Sequence, residues 1–426
     1  MQDLSRKCLQ LSKCLFHSLL VGLCLIAVLG LSRVALAQNN TALPSSTPSD
    51  TTKQDPVLIP VAKPDDPEVR LGRDNADEHD KQVKLLTDPV LLDRVRRIGN
   101  EIASVANKAT IPAYWGHAQM KQFQYVFKIV DDKDVNAYCM PGGFVYVCKG
   151  LLDKVNSDDE LAGVLAHEIS HAAHHHVLKL LKEQSKIQRA TLPLQLLSLL
   201  MIFVGRGAAS GDAINIYTAT NLYEVAKTNT YGVEAEKDAD QTGIRLLMQT
   251  RYNPVGLYSF MIRLAALERR SLAFELGIYR THPPGEQRVE AAKKLMQELN
   301  IPLLLSQVDP TLRATIAPVQ KQENTVPQLE IQIMGLKVCR VVGTEDSPPD
   351  ARAERIAKRL DYLFDTNISP LEIALTRDRT KVVARGQALF VTEDAEGQGL
   401  TMEDLLRNFK EAVVAVHQKR RIEFYR

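Results

Sequence analysis

Residues 157–171 read SDDELAGVLAHEISH, and the reading of the chain grows outward from this stretch. Ser157 can cap a helix, and Glu160 three residues later gives the capping-box pattern. Leu161, Val164, Leu165 and Ile169 follow at helical spacing, so a helix is predicted from 158 to about 181. His167 and His171 stand four apart on it. Both imidazoles therefore face one way, a turn apart, where one ion can accept both nitrogens. Glu168 is one residue on from the first of them and can reach a water at that ion. An H-E-x-x-H arises by chance in roughly one chain in a hundred of this length. Five of the ten histidines lie between 167 and 176. His174, His175 and His176 are expected to be solvated or to serve the helix C-terminus rather than to bind metal.

A hydrolytic zinc requires a third protein ligand and one open position. Residues 234–240 read EAEKDAD, in which Glu236 and Asp240 are four apart and share a helix face. One can bind the ion while the other accepts the ring N–H of a ligand histidine. Ala239 and Gly243 are small enough for this helix to lie close to the first.

The remaining pattern gives a helix over 85–105, a strand over 123–130, and a turn at Pro141-Gly142-Gly143 leading into a second strand within 136–149. Helices are predicted at 234–249 and 284–299. The apolar run 192–204 is too short to span a bilayer comfortably and reads as a buried helix or a lid. Residues 305–327 read as a linker. After it come a strand (328–342), a helix (351–364), strands (373–391) and a helix (402–416). This divides the chain into a signal peptide (1–37), a disordered linker (38–66), a metal-binding domain (67–304), a second linker (305–327) and a small α+β domain (328–426).

The 426 residues suit two folded units, and 53 Lys and Arg against 51 Asp and Glu give no electrostatic ground for a nucleic-acid partner. Arg6, Lys7 and Lys13 precede an apolar run at 19–31 and the Ala35-Leu36-Ala37 pattern, so export with cleavage after Ala37 is expected. The alternative is an uncleaved anchor, which would leave membrane contact through that segment or through 192–204. Beyond the signal, Cys139, Cys148 and Cys339 are an odd number, which excludes a full disulfide framework. Cys139 and Cys148 flank the Gly-Gly turn and either face each other or serve as small buried hydrophobes.

Four separated elements resemble peptidase family M48, zinc endopeptidases that include the CAAX prenyl protease, the HtpX heat-shock protease and bacterial periplasmic relatives. They are Asn136-Ala137-Tyr138 with Pro141-Gly142-Gly143 and Val145-Tyr146-Val147, the helix from Asp159 to His171, Glu236-Lys237-Asp238-Ala239-Asp240, and Thr281-His282-Pro283 with Arg288-Val289. The resemblance covers 71–299. It implies a mainly helical zincin-like (gluzincin) domain with a small sheet, which together with the small α+β C-terminal domain read from the pattern after 328 makes the fold α+β. It also implies one zinc per chain on His167, His171 and Glu236, which leaves Asp240 to orient a ligand histidine. By the family pattern Glu168 is the general base, and His282, supported by Arg288, donates to the oxyanion. Gly143, Phe144, Val145, Tyr146 and Val147 are expected to form an edge strand to which an extended polypeptide adds. The resemblance stops at the C-terminal unit, and prenyl-protein processing is not implied. Two rivals remain: a non-catalytic, zinc-stabilised peptide-binding module, and an envelope protein whose function lies in residues 328–426.

Overall fold

The computed structural model describes residues 62–117, 119–180, 232–270, 286–319, 327–344 and 347–422. The signal, residues 38–61 of the first linker, the 192–204 run and His282 lie outside them. No described helix is long and apolar enough to cross a membrane.

Two Asp-Pro pairs start the first helices. In α1 (Pro67–Gln82) the Asp66 carboxylate accepts from the N–H groups of Glu68 and Val69. In α2 (Pro89–Ala106) Asp88 does the same for Val90 and Leu91. Proline at the first helical position has no N–H to leave unsatisfied, and its φ is already helical. The cap at Asp88 corrects the expected start at 85, because Leu85–Leu86 instead forms strand β1, which pairs with β2 (Val126–Val130).

Strands β3 (Ala137–Met140) and β4 (Phe144–Cys148) form a hairpin. Its turn needs Gly142 and Gly143, whose φ angles are 79° and 90°. The sheet order is β1-β2-β4-β3, with β4 parallel to β2 and antiparallel to β3. Alternation then sorts side chains by face. Ala137, Cys139, Val145 and Val147 join the main cluster with residues of α2 and the H-E-x-x-H helix. Tyr138, Met140, Tyr146 and Cys148 pack with Ala76 of α1 on the other face. Cys139 and Cys148 therefore point to opposite faces, and both are buried and outside any disulfide.

Helix α3 (Asp158–Ala173) carries the motif and is buried along nearly all its length. Ser157 Oγ accepts from Glu160 N–H at 3.1 Å. The Glu160 carboxylate accepts from Asn156 N–H (2.7 Å) and Ser259 Oγ (2.8 Å) and pairs with Arg263, so it ties the helix start to a neighbouring helix. The helix ends at Ala173, earlier than its apolar pattern implied. His174 caps it and His175 takes a left-handed φ of 55°, which an α-helix cannot accommodate. Residues 176–180 are helical again.

Among the described residues α2, α4 (Val233–Leu247) and α5 (Val255–Arg270) lie directly against α3, and α6 (Glu286–Glu298) lies against α4 and α5. Glycine sets the α3–α4 distance. A Cβ added at Gly243 would stand 3.3 Å from the carbonyl carbon of Ala166 and from the nitrogen of His167. Closeness here is what lets an α4 carboxylate reach the α3 imidazoles.

The remaining chain builds a separate hydrophobic cluster from residues between Ile331 and Val416. Residues 305–327 are not a bare linker. Leu305–Val308 is a short helix whose apolar side chains join the main cluster, and β5 (Ala314–Pro318) pairs with β6 (Gln328–Ile333). The strand expected at 328–342 is a hairpin, β6 and β7 (Leu336–Val342), because Met334 and Gly335 turn with φ of 53° and 73°. Helix α7 (Pro349–Asp365) follows, then the sheet of β8 (Ile373–Leu375), β9 (Lys381–Ala384) and β10 (Gln387–Val391), and finally α8 (Met402–Arg420).

Candidate metal centre

His167 and His171 point from α3 toward Glu236 on the first turn of α4. The two Nε2 atoms are 2.9 Å apart. Each lies 3.5 Å from a different Glu236 oxygen, His167 Nε2 from Oε2 and His171 Nε2 from Oε1. Ligands about 2.0–2.2 Å from a tetrahedral zinc stand roughly 3.3 Å apart, so both imidazole–carboxylate separations are close to that edge and the imidazole–imidazole one is a little shorter. All three side chains are buried. Two imidazoles and a carboxylate are a donor set that zinc accepts, and the residues fit the ion.

Arg288, from α6, closes the site from behind. Its Nε and Nη2 grip Asp240 at 2.8 Å each, and Nη1 lies 2.7 Å from Glu236 Oε2. Asp240 in turn lies 2.8 Å from His167 Nδ1. One guanidinium thus fixes the carboxylate that would bind the metal and the carboxylate that orients a ligand imidazole. Burial would raise the Asp240 carboxyl, but Arg288 and His167 outweigh it and hold it below its ordinary value. Burial would likewise push His167 down, yet Asp240 and Glu236 carry it up to about 10. The carboxylates call for a further positive charge at this point, which a proton or a metal ion can supply.

Residues 93–296 match peptidase family M48. This span, just under half of the chain, is a peptidase family M48 domain. The comparison also finds beta-barrel assembly-enhancing proteases of Yersinia pestis (26% identity over 50% of this chain) and Escherichia coli K12 (24% over 53%). Metalloprotease LoiP of Escherichia coli K12 is 26% identical over 51% of this chain and 81% of its own length. The chain spans only about two fifths of the beta-barrel assembly-enhancing proteases, 41% and 43% of their lengths.

Within the M48 domain, Glu168 is buried beside the ligands. Its charge reaches Cys139 on β3, whose thiol is held well above its ordinary value by burial first and by Glu168 and Glu68 next. Arg288 lies against Glu236 and Asp240 of α4, and His282, which it is expected to support, lies outside the described residues. The expected substrate strand is not an edge. Phe144, Val145, Tyr146 and Val147 form β4 together with Cys148, and β4 is hydrogen-bonded on both sides, by β2 and by β3. Gly143 precedes it in the turn. Among the described residues the outermost strand of this sheet beside α3 is β3, Ala137–Met140.

His174 and His176 are fully buried rather than solvated. The break at His175 turns them toward Asp238, whose Oδ2 lies 2.5 Å from His174 Nδ1 and 3.0 Å from His176 Nε2. Asp238 Oδ1 accepts from the N–H of Trp115 (3.0 Å) and of Tyr114. Asp238 was not singled out from the sequence. It stands two residues after Glu236, on the far side of α4, and only the left-handed turn at His175 brings partners there.

Proposed function

We propose that this chain is a zinc-dependent endopeptidase of the gluzincin type, acting on extended or unfolded polypeptides outside the cytoplasm. The observation that carries this reading is the convergence of His167, His171 and Glu236, with Glu168 adjacent on the same buried helix. His167 Nε2, His171 Nε2 and a Glu236 oxygen would hold the single zinc, while Asp240 lies against His167 Nδ1 and Arg288 against Glu236 and Asp240. Zinc when bound supplies a Lewis acid that acidifies water and polarises a carbonyl. The Glu168 carboxylate takes a proton from the attacking water and returns it to the leaving amine. His282, outside the described residues, is proposed as the oxyanion donor. An extended substrate backbone adds to the β3 edge, which makes recognition depend on main-chain hydrogen bonds. Export rests on the signal pattern in residues 1–37.

The non-catalytic peptide-binding reading is weaker because a structural zinc has no need of Glu168. Elemental analysis of the purified chain and casein cleavage with and without a chelator separate the two. About one zinc per chain is expected, with cleavage that the chelator abolishes. Glu236→Gln should lose most of the metal. Glu234→Gln should keep it, since the Glu234 side chain is 48% exposed and turned to Lys237 and the Tyr114 hydroxyl rather than to the imidazoles. Equal loss in both variants would show that the third ligand is misassigned.

A further inference from the structure

We propose that His176 and Asp238 are positioning residues for His171, forming a carboxylate–imidazole relay that fixes its tautomer and aims its Nε2 at the metal. This rests on the metal set proposed above, but not on peptidase activity. The relay can be followed atom by atom. His176 Nε2 faces only acceptors, the Trp115 carbonyl at 2.9 Å and Asp238 Oδ2 at 3.0 Å, so this nitrogen carries the hydrogen. A neutral ring protonated there has its lone pair on Nδ1. That atom is 2.9 Å from His171 Nδ1, so His171 Nδ1 must donate. His171 is then left with a lone pair on Nε2, the atom that points at His167 and Glu236. The two ring planes meet at 85°, with centroids 4.8 Å apart.

The far end of the relay is anchored firmly. Asp238 accepts from two consecutive backbone N–H groups at Tyr114 and Trp115 and lies against His174, whose Nε2 is 3.2 Å from the Ile111 carbonyl. The segment 111–115 thereby holds the carboxylate that holds the ring. His174, His176 and Asp238 could also be read as a metal site of their own. The spacing argues against it. His174 Nδ1 and Asp238 Oδ2 are 2.5 Å apart, a hydrogen-bond contact far inside the roughly 3.3 Å edge of a tetrahedral zinc site. Each ligand imidazole thus has its own carboxylate, Asp240 directly for His167 and Asp238 through His176 for His171. Fixing ligand orientation in this way is typically worth about 10–100-fold in metal affinity.

The test compares His176→Phe, which keeps a planar ring but has no acceptor, with His176→Asn, whose Oδ1 can stand near the lost Nδ1. Zinc affinity of the full chain is measured by chelator competition, and the melting temperature of the metal-free form reports folding. His176→Phe should bind zinc about 10–100-fold more weakly, and His176→Asn should recover most of that loss. Selective ¹⁵N-histidine NMR of the zinc-loaded wild type needs no variant, and should find hydrogen on His171 Nδ1 and on His176 Nε2. Wild-type affinity in His176→Phe overturns the proposal, as does loss in both variants without rescue, or the opposite tautomers. Two zinc ions per wild-type chain, one of them lost in His176→Phe with the other unaffected, would overturn it in favour of a second metal site. A chain that binds zinc through the relay but cleaves no peptide sinks the peptidase reading alone.

Discussion

Glu168→Gln is expected to fold, bind zinc as the wild type does, and lose peptide cleavage by about a hundredfold or more. The side chain is almost fully buried, and glutamine matches it in size, so packing around α3 is unchanged. The amide can neither take a proton from water nor return one to an amine. Burial sharpens this dependence, because no bulk solvent reaches the position to serve as a substitute base. The measurements are turnover on a fluorogenic peptide, zinc content and melting temperature, all on the same preparation. Wild-type turnover in a zinc-loaded Glu168→Gln variant would refute the mechanism.

Replacing Arg288 by Leu should have the largest effect on the scaffold. The guanidinium is buried and makes a bidentate pair with Asp240 while also contacting Glu236, and its own pKa is held above the ordinary value because these carboxylates outweigh burial. Removing one partner of a buried pair leaves charge uncompensated and typically costs about 3–5 kcal/mol. The metal-free protein should show the loss most clearly in denaturant unfolding. Bound zinc should restore part of it, because a divalent cation at Glu236 replaces some of the missing charge. An unchanged unfolding midpoint in the metal-free variant would mean that Asp240 and Glu236 are neutralised in some other way.

The centre of the fold was legible because its signals are local. Ser157 at the helix start, the apolar spacing through Ile169 and the four-residue separations in H-E-x-x-H and between Glu236 and Asp240 are properties of single helices. What the sequence hid depends on distant partners. A strand buried on both faces, as β4 is, reads the same at an edge and in the middle of a sheet, and its parallel neighbour β2 lies well upstream. Helix α1 is strongly polar and buries only a narrow stripe around Val69, Gly72 and Ala76, too thin for apolar periodicity to reveal. The early end of α3 has no Gly or Pro to announce it, since the left-handed position is taken by His175. The helical turn and strand at 305–318 lie among prolines and glutamines that suggest a linker, and their order comes from packing against both hydrophobic clusters.

The three buried thiols have a consequence of another kind. Cys139 lies in the main cluster, Cys148 on the opposite face of the same hairpin, and Cys339 in the C-terminal cluster. None can oxidise with another while the chain is folded, so this part of the molecule can enter an oxidising compartment without acquiring a crosslink. Burial also suppresses the reactive thiolate at Cys139 and Cys339. Each sulfur becomes available to a reagent only when its own surroundings open. The protein therefore carries one intrinsic clock in each hydrophobic cluster, and the order in which the three start is the order in which those parts of the fold come apart.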